Sequence, residues 1–279
     1  MGNEKLQREF IDNLVGVSDT TKNEYNTKLN QLTNKVKFDA EESDLLEFLV
    51  KIKNPNTRTN KLFALIRLRR YHKLPVVELE QMREDIKEEI RVHRKAKSKE
   101  DNEALVSYEE LLKALDQLEG RDYFMNYMYV HHGLRNRDIN VRYRPNLSKA
   151  TKNENLISFN PKAKNPKVTL YITDYKTAST YGPKTITIKN QRLFDELTGM
   201  KMKNGDYVFK QANGQKPTIN YMNVLASKHS INNYGEGRIA KILIKHLLDT
   251  KRFSDIEELS QQRGTSLSTL YTVYNLQSH

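Results

Sequence analysis

Val130-His131-His132-Gly133-Leu134-Arg135-Asn136-Arg137-Asp138-Ile139 is the stretch on which the reading of this chain turns. The residues leading into it, Tyr123 to Val130, are apolar on every side, the pattern of a helix buried in a core. Gly133 ends that helix, and Arg135 is expected to open another, with Asp138 at the spacing of a helix-end ion pair. Adjacent histidines at a helix end point in different directions, so His131 and His132 read as packing or phosphate contacts, not a metal pair.

Working outward, Ser107 with Glu110 forms a capping box ahead of Leu111, Leu112, Leu115 and Leu118, and Gly120 ends that helix. Downstream, Val168, Leu170 and Ile172 alternate, as do Ile186 and Ile188, with Gly182-Pro183 between them. This predicts a β-hairpin with one packed and one wet face. The remainder reads as helical, with Ile239, Ile242, Leu243 and Leu247 on one face. Residues 98–104 contain nothing large and apolar and are the expected linker, after a helix ending in Arg94-Lys95-Ala96-Lys97. Before it lie helices marked by Leu6, Phe10 and Leu14, by a Thr21/Glu24 capping box with Tyr25, Leu29 and Leu32, and by Leu45 to Ile52 stopped at Asn54-Pro55. A basic helix from Thr57 to Lys73 follows. Its Arg58, Lys61, Arg67 and Arg70 are candidates for a DNA backbone, as is Lys184 beside the hairpin; a solvated basic face is the plainer alternative. The expected class is mainly α with a small antiparallel sheet: a helical domain over 1–97 and an α+β domain over 105–279.

Composition narrows the function. Lys plus Arg number 47 against 35 Asp plus Glu, a net charge of +12, which favours phosphate polyanions as partners. With no cysteine, disulfides, thiolate metal sites and cysteine nucleophiles are excluded. No apolar run reaches bilayer length, and Glu4, Arg8 and Glu9 interrupt any secretory leader, so an intracellular soluble protein is expected. The Lys- and Asn-rich composition suits an AT-rich genome, such as that of a virus or mobile element.

Four places in the second domain matter together: the Gly133-Leu134-Arg135 segment with Asp138; Lys176 in Asp174-Tyr175-Lys176-Thr177; Arg238 in Gly235-Glu236-Gly237-Arg238; and Tyr271 in Ser268-Thr269-Leu270-Tyr271. Taken singly, each has a plain reading as an ion pair, a turn lysine, a polar-face arginine or one tyrosine among 15. Their order resembles the tyrosine recombinases, which include the phage-type integrases. That family carries a Gly-Leu-Arg segment with an acidic residue three places later, then a hairpin lysine, a His-x-x-Arg motif and a nucleophilic tyrosine near the carboxyl end. Ser18-x-x-Thr21-x-x-x-Tyr25-x-x-x-Leu29 is similar to the opening of its core-binding domain.

The resemblance implies a core-binding domain and a catalytic domain clamping double-stranded DNA, a homo-tetramer on DNA, and catalysis by Arg135, Lys176, Arg238 and Tyr271 through a 3′-phosphotyrosine, without metal or other cofactor. Two family histidines are missing: Gly235 stands at one and Gln261 or Gln262 at the other, so Gln261, Gln262, His229 or a water is left to support proton transfer. Tyr274 competes with Tyr271 as nucleophile. A type IB topoisomerase would use the same groups. A non-enzymatic DNA-binding protein would instead use Ile256 to Tyr274 as a helix-turn-helix.

Overall fold

Ser18 adopts extended backbone and its hydroxyl accepts from Thr21 N at 3.2 Å, so the second helix starts at Asp19, ahead of the expected Thr21/Glu24 box. In the computed structural model, which describes residues 3–103, 105–147 and 154–271, the chain divides into two units, Met1–Asp101 and Asn102–His279.

The first unit is helical: α1 (Asn3–Asp12), α2 (Asp19–Thr33), α3 (Glu42–Val50), α4 (Pro55–Tyr71) and α5 (Val77–Glu103). Asn54 caps α4 by accepting from Thr57 N at 3.1 Å, and Pro55 fills its first turn, where a missing N–H costs nothing. α4 is the central element. Its Leu62, Leu65, Ile66 and Leu68 are buried with Phe10, Tyr25, Leu29, Leu45 and Leu49 in one apolar cluster. Arg69 is buried too, and its guanidinium donates to the carbonyls of Pro75, Phe38 and Ala40, each at 2.7 Å. The helix expected to stop at Lys97 continues as α5 to Glu103, because residues 94–103 contain no glycine or proline to end it.

The second unit holds α6 (Tyr108–Leu115), α7 (Gly120–His132), β1 (Arg142–Tyr143), β2 (Leu156–Ser158), β3 (Val168–Ile172), α8 (Ala178–Tyr181), β4 (Lys184–Ile188), α9 (Gln191–Gly199), α10 (Ile219–His229), α11 (Gly235–Asp249), α12 (Phe253–Arg263) and α13 (Leu267–Thr269). The Ser107/Glu110 capping box forms with both bonds in place, and α7 is buried from Tyr123 to Val130, both as expected. β3 and β4 pair antiparallel in the register Val168↔Ile188 to Ile172↔Lys184. The sheet is mixed, not purely antiparallel: its order is β1-β2-β3-β4, and β1 runs parallel to β2. Strands of two and three residues are too short to show a period of two, which is why the sequence did not announce them. Among the described residues, no helix is long and apolar enough to cross a membrane.

Candidate functional site

Gly133 ends α7 in the left-handed region at φ 57°, which turns the chain sharply toward Arg135. A Cβ there would stand 2.7 Å from Leu259 Cδ1, so α12 packs against the bare glycine. The helix expected to start at Arg135 does not form. Asp138 N and Ile139 N both donate to Arg135 O, at 2.9 and 3.1 Å, closing one turn. Val141 N then donates to Ile139 O, and the chain leaves as β1.

That single turn is held from several sides. Asp138, fully buried, accepts from Arg135 N and from Lys184 Nζ, each at 3.3 Å. Asn136 is bonded to Tyr129, Asn223 and Glu236. Asn155, 2% exposed, binds the turn to the hairpin: its amide donates to Arg137 O (2.9 Å) and Asp174 O (2.8 Å) and accepts from Thr173 N (2.9 Å) and Asp174 N (2.7 Å).

The segment after α12 closes the other side. Gly264 (φ 57°) turns the chain so that successive groups face inward. Gln262 O accepts from Lys184 Nζ at 2.5 Å. Arg263 O accepts from Arg135 Nη1 at 2.5 Å, Gly264 O from Thr177 Oγ1 at 2.7 Å, and Thr265 Oγ1 from Arg135 Nη2 at 2.6 Å. Arg263 itself is 2% exposed and donates back to Gly133 O. Arg135 and Asp138 of one turn are thus gathered with Lys184, Glu236 and Arg263 from four separate parts of the chain.

Electrostatics follow from the crowding. Burial depresses the Lys184 pKa below the lysine value; Arg135 and Arg263 push the same way, while Asp138 opposes them. The Lys184 ammonium also lies 4.0 Å from the centre of the Tyr175 ring. Glu236 is raised above an ordinary carboxyl, first by burial and also by Asp138, against the Asn136 N–H, Arg263 and Arg135.

Of the residues singled out from sequence, Arg135, Asp138 and Lys184 lie in this cluster. Lys176, the expected hairpin lysine, is exposed in the turn between β3 and α8, while Lys184 points into the cluster from the start of β4. Arg238, in the first turn of α11, is half-buried: its guanidinium carbon is 4.5 Å from the Tyr234 ring centre, and its Nε is buried with no hydrogen-bond partner. Tyr271 is 37% exposed, just beyond α13; Tyr274 lies outside the described residues. Gln261 is exposed, and the Gln262 side chain bonds His132 Nδ1 (2.9 Å) and Glu258 Oε1 (2.7 Å). His229 lies apart from Arg135. It pairs with Asp122 at 3.1 Å, in the first turn of α7, while Arg135 follows the last; ten helical residues separate those ends by about 15 Å.

In the first unit, Arg58 is held by Ile52 O (3.0 and 2.9 Å) and Glu89 (3.7 Å), and Arg70 by Glu80. Arg67 donates to Tyr25 Oη at 2.8 Å and lies over the Tyr25 and Phe63 rings, and Lys61 is half-buried. Among the described residues, no group of three or more His, Asp or Glu is placed to hold a metal ion.

Sequence reasoning missed Arg263 and gave Lys184 a lesser part. Both carried a signal. Lys184 shares its strand face with the buried Ile186 and Ile188, and Arg263 shares a helix face with buried Ile256, Leu259 and Ser260. A cation on a stripe reserved for the core indicates a partner waiting inside.

Neither the protein-family models nor the curated proteins contain a match to this chain. Among solved structures, three chains match; one is the crystal structure of XerA recombinase, 13% identical, aligned over 98% of this chain and 94% of that one with a TM-score of 0.39.

Proposed function

We propose that this chain is a DNA strand-breaking and rejoining enzyme of the tyrosine recombinase type, acting on double-stranded DNA as a homo-tetramer. The observation that carries this reading is that the Arg135 guanidinium and the Lys184 ammonium are both held by the one segment that leads to Tyr271, through Arg263 O and Gln262 O, with the Arg135 N–H and Lys184 also meeting on the buried Asp138 carboxylate. The sequence resemblance and the net charge of +12 support it independently.

In the proposed reaction the Tyr271 hydroxyl passes its proton to a water and its oxygen attacks the scissile phosphorus. A phosphotyrosyl ester forms at the 3′ side as the bond to the 5′-oxygen breaks. Arg135 and Arg238 bind the non-bridging oxygens, whose charge grows in the transition state; a planar guanidinium fork suits that geometry. Lys184, in place of Lys176, delivers a proton to the departing 5′-oxygen. Its lowered pKa makes the ammonium a better acid than a solvated lysine. Rejoining reverses these steps with a 5′-hydroxyl from the partner strand.

A pool of nicked duplexes of random sequence, from which the short cleaved fragment diffuses away, tests the reading on denaturing gels. The wild type should yield a covalent protein–DNA adduct that Tyr271→Phe abolishes and Arg135→Ala nearly abolishes. An adduct that survives Tyr271→Phe would refute the nucleophile, and retarded DNA with no adduct at all would leave a non-covalent DNA-binding protein. Strand transfer between two duplexes separates a recombinase from a relaxing topoisomerase.

A further inference from the structure

Building on that reading, we propose that Thr265 is a positioning residue for Arg135: its hydroxyl, with the neighbouring Arg263 carbonyl, fixes the plane in which the guanidinium meets the scissile phosphate. Arg135 donates through Nη2 to Thr265 Oγ1 at 2.6 Å and through Nη1 to Arg263 O at 2.5 Å. Two acceptors on one edge of a rigid fork leave it little freedom to rotate.

Thr265 is itself held. Its N–H donates to Ser260 O at 3.0 Å, and the Ser260 hydroxyl donates to Thr265 O at 2.5 Å, so the acceptor is anchored to the last turns of α12. The same four residues, Gln262 to Thr265, also take up Lys184 and Thr177. The segment therefore sets the angle of the arginine and the position of the lysine from one rigid edge, immediately before the chain reaches Tyr271. Catalysis by oriented charge is sensitive to small rotations of the donor, so a hydroxyl that touches no substrate can still control the rate.

The test compares Thr265→Val, which keeps the shape and loses the acceptor, with Thr265→Ser, which keeps the acceptor. On nicked duplexes, Thr265→Val should slow adduct formation by roughly ten- to a hundredfold, as expected when a hydrogen bond to a charged group is lost, and Thr265→Ser should recover most of the rate. A duplex with a methylphosphonate at the scissile position carries no charged oxygen for Arg135 to stabilise. There the Thr265→Val deficit should shrink along with that of Arg135→Ala. A deficit equal on both duplexes would mean a merely structural part, and wild-type speed in Thr265→Val would overturn the proposal outright.

A measurement independent of turnover separates failure of this proposal from failure of the enzyme reading. The two Nη resonances of Arg135 in the full-length protein should be distinct in wild type and Thr265→Ser and averaged in Thr265→Val. Unchanged resonances in Thr265→Val would refute the anchoring even if adducts form. Averaging in Thr265→Val without any wild-type adduct would refute the recombinase reading and with it the catalytic part of this one.

Discussion

Replacing Gly264 with alanine should damage the second unit for two separable reasons. The backbone there sits at φ 57°, which an L-residue with a Cβ occupies at a cost of about 1–2 kcal/mol. The added methyl would also stand 2.5 Å from Thr177 Oγ1 and 2.7 Å from Tyr175 Cε2. Neither neighbour can withdraw freely: Thr177 is bonded to Gly264 O at 2.7 Å, and the buried Tyr175 is tethered through its hydroxyl to Gly182 O at 2.6 Å. Overpacking of this kind adds about 1–3 kcal/mol. Together these give a loss of about 3 kcal/mol, or roughly 6–12 °C in Tm for a unit of this size. Thermal denaturation of the full chain, followed by circular dichroism, measures it. Gly264→Asn resolves the causes, because asparagine tolerates the left-handed region but carries the same Cβ. If close packing dominates, asparagine should be about as damaging as alanine. A Tm within about a degree of wild type for Gly264→Ala, or a markedly milder Gly264→Asn, would refute the packing argument.

Other expectations concern single charged groups. Lys184→Met should lower adduct formation by roughly 10²–10⁴-fold, whereas Lys176→Met should stay within severalfold of wild type, read on the same gels. Because the acid role proposed for Lys184 needs its proton and its pKa is lowered, single-turnover cleavage should fall as pH rises through a value below the lysine norm of 10.5; Lys184→Arg should move that limb upward. Arg69→Leu should cost the first unit about 3–5 kcal/mol, seen as an earlier melting step, because three inward-facing carbonyls lose their donor. Glu236 has a raised folded-state pKa, so its contribution is full below the ordinary value of 4.5 and is lost as pH rises through the raised one. Glu236→Gln should flatten that part of the stability–pH curve in urea titrations, and an unchanged slope would count against it.

Elements whose pattern repeats were legible in the sequence. The all-round apolar α7, the Ser107/Glu110 cap and the alternating β3–β4 pair each follow from a local rule, and each is present. The two-residue β1 and the parallel pairing were not, since parallel partners are fixed by tertiary contacts rather than by a turn. At the candidate site, Arg135 was found because Gly133-Leu134-Arg135 with Asp138 resembles a family motif; taken alone, the pair reads as a helix-end ion pair. Lys176 was preferred to Lys184 because the resemblance calls for a hairpin lysine and Lys176 was read at the hairpin tip, whereas the side chain that enters the cluster is the one in register with Ile186 and Ile188. His229 was offered as one possible proton carrier, with Gln261, Gln262 or a water, and its bond to Asp122 places it at the opposite end of α7 from Arg135.

The Asn155 amide that joins the Arg137 loop to the Asp174 turn has a kinetic consequence. One planar group serving five main-chain partners, Asp138 O among them, makes their opening a shared event, so the amide protons of Thr173 and Asp174 should exchange with solvent at a common rate. Loosening the loop would loosen the hairpin in the same fluctuation, and the arginine and the lysine would go out of true together.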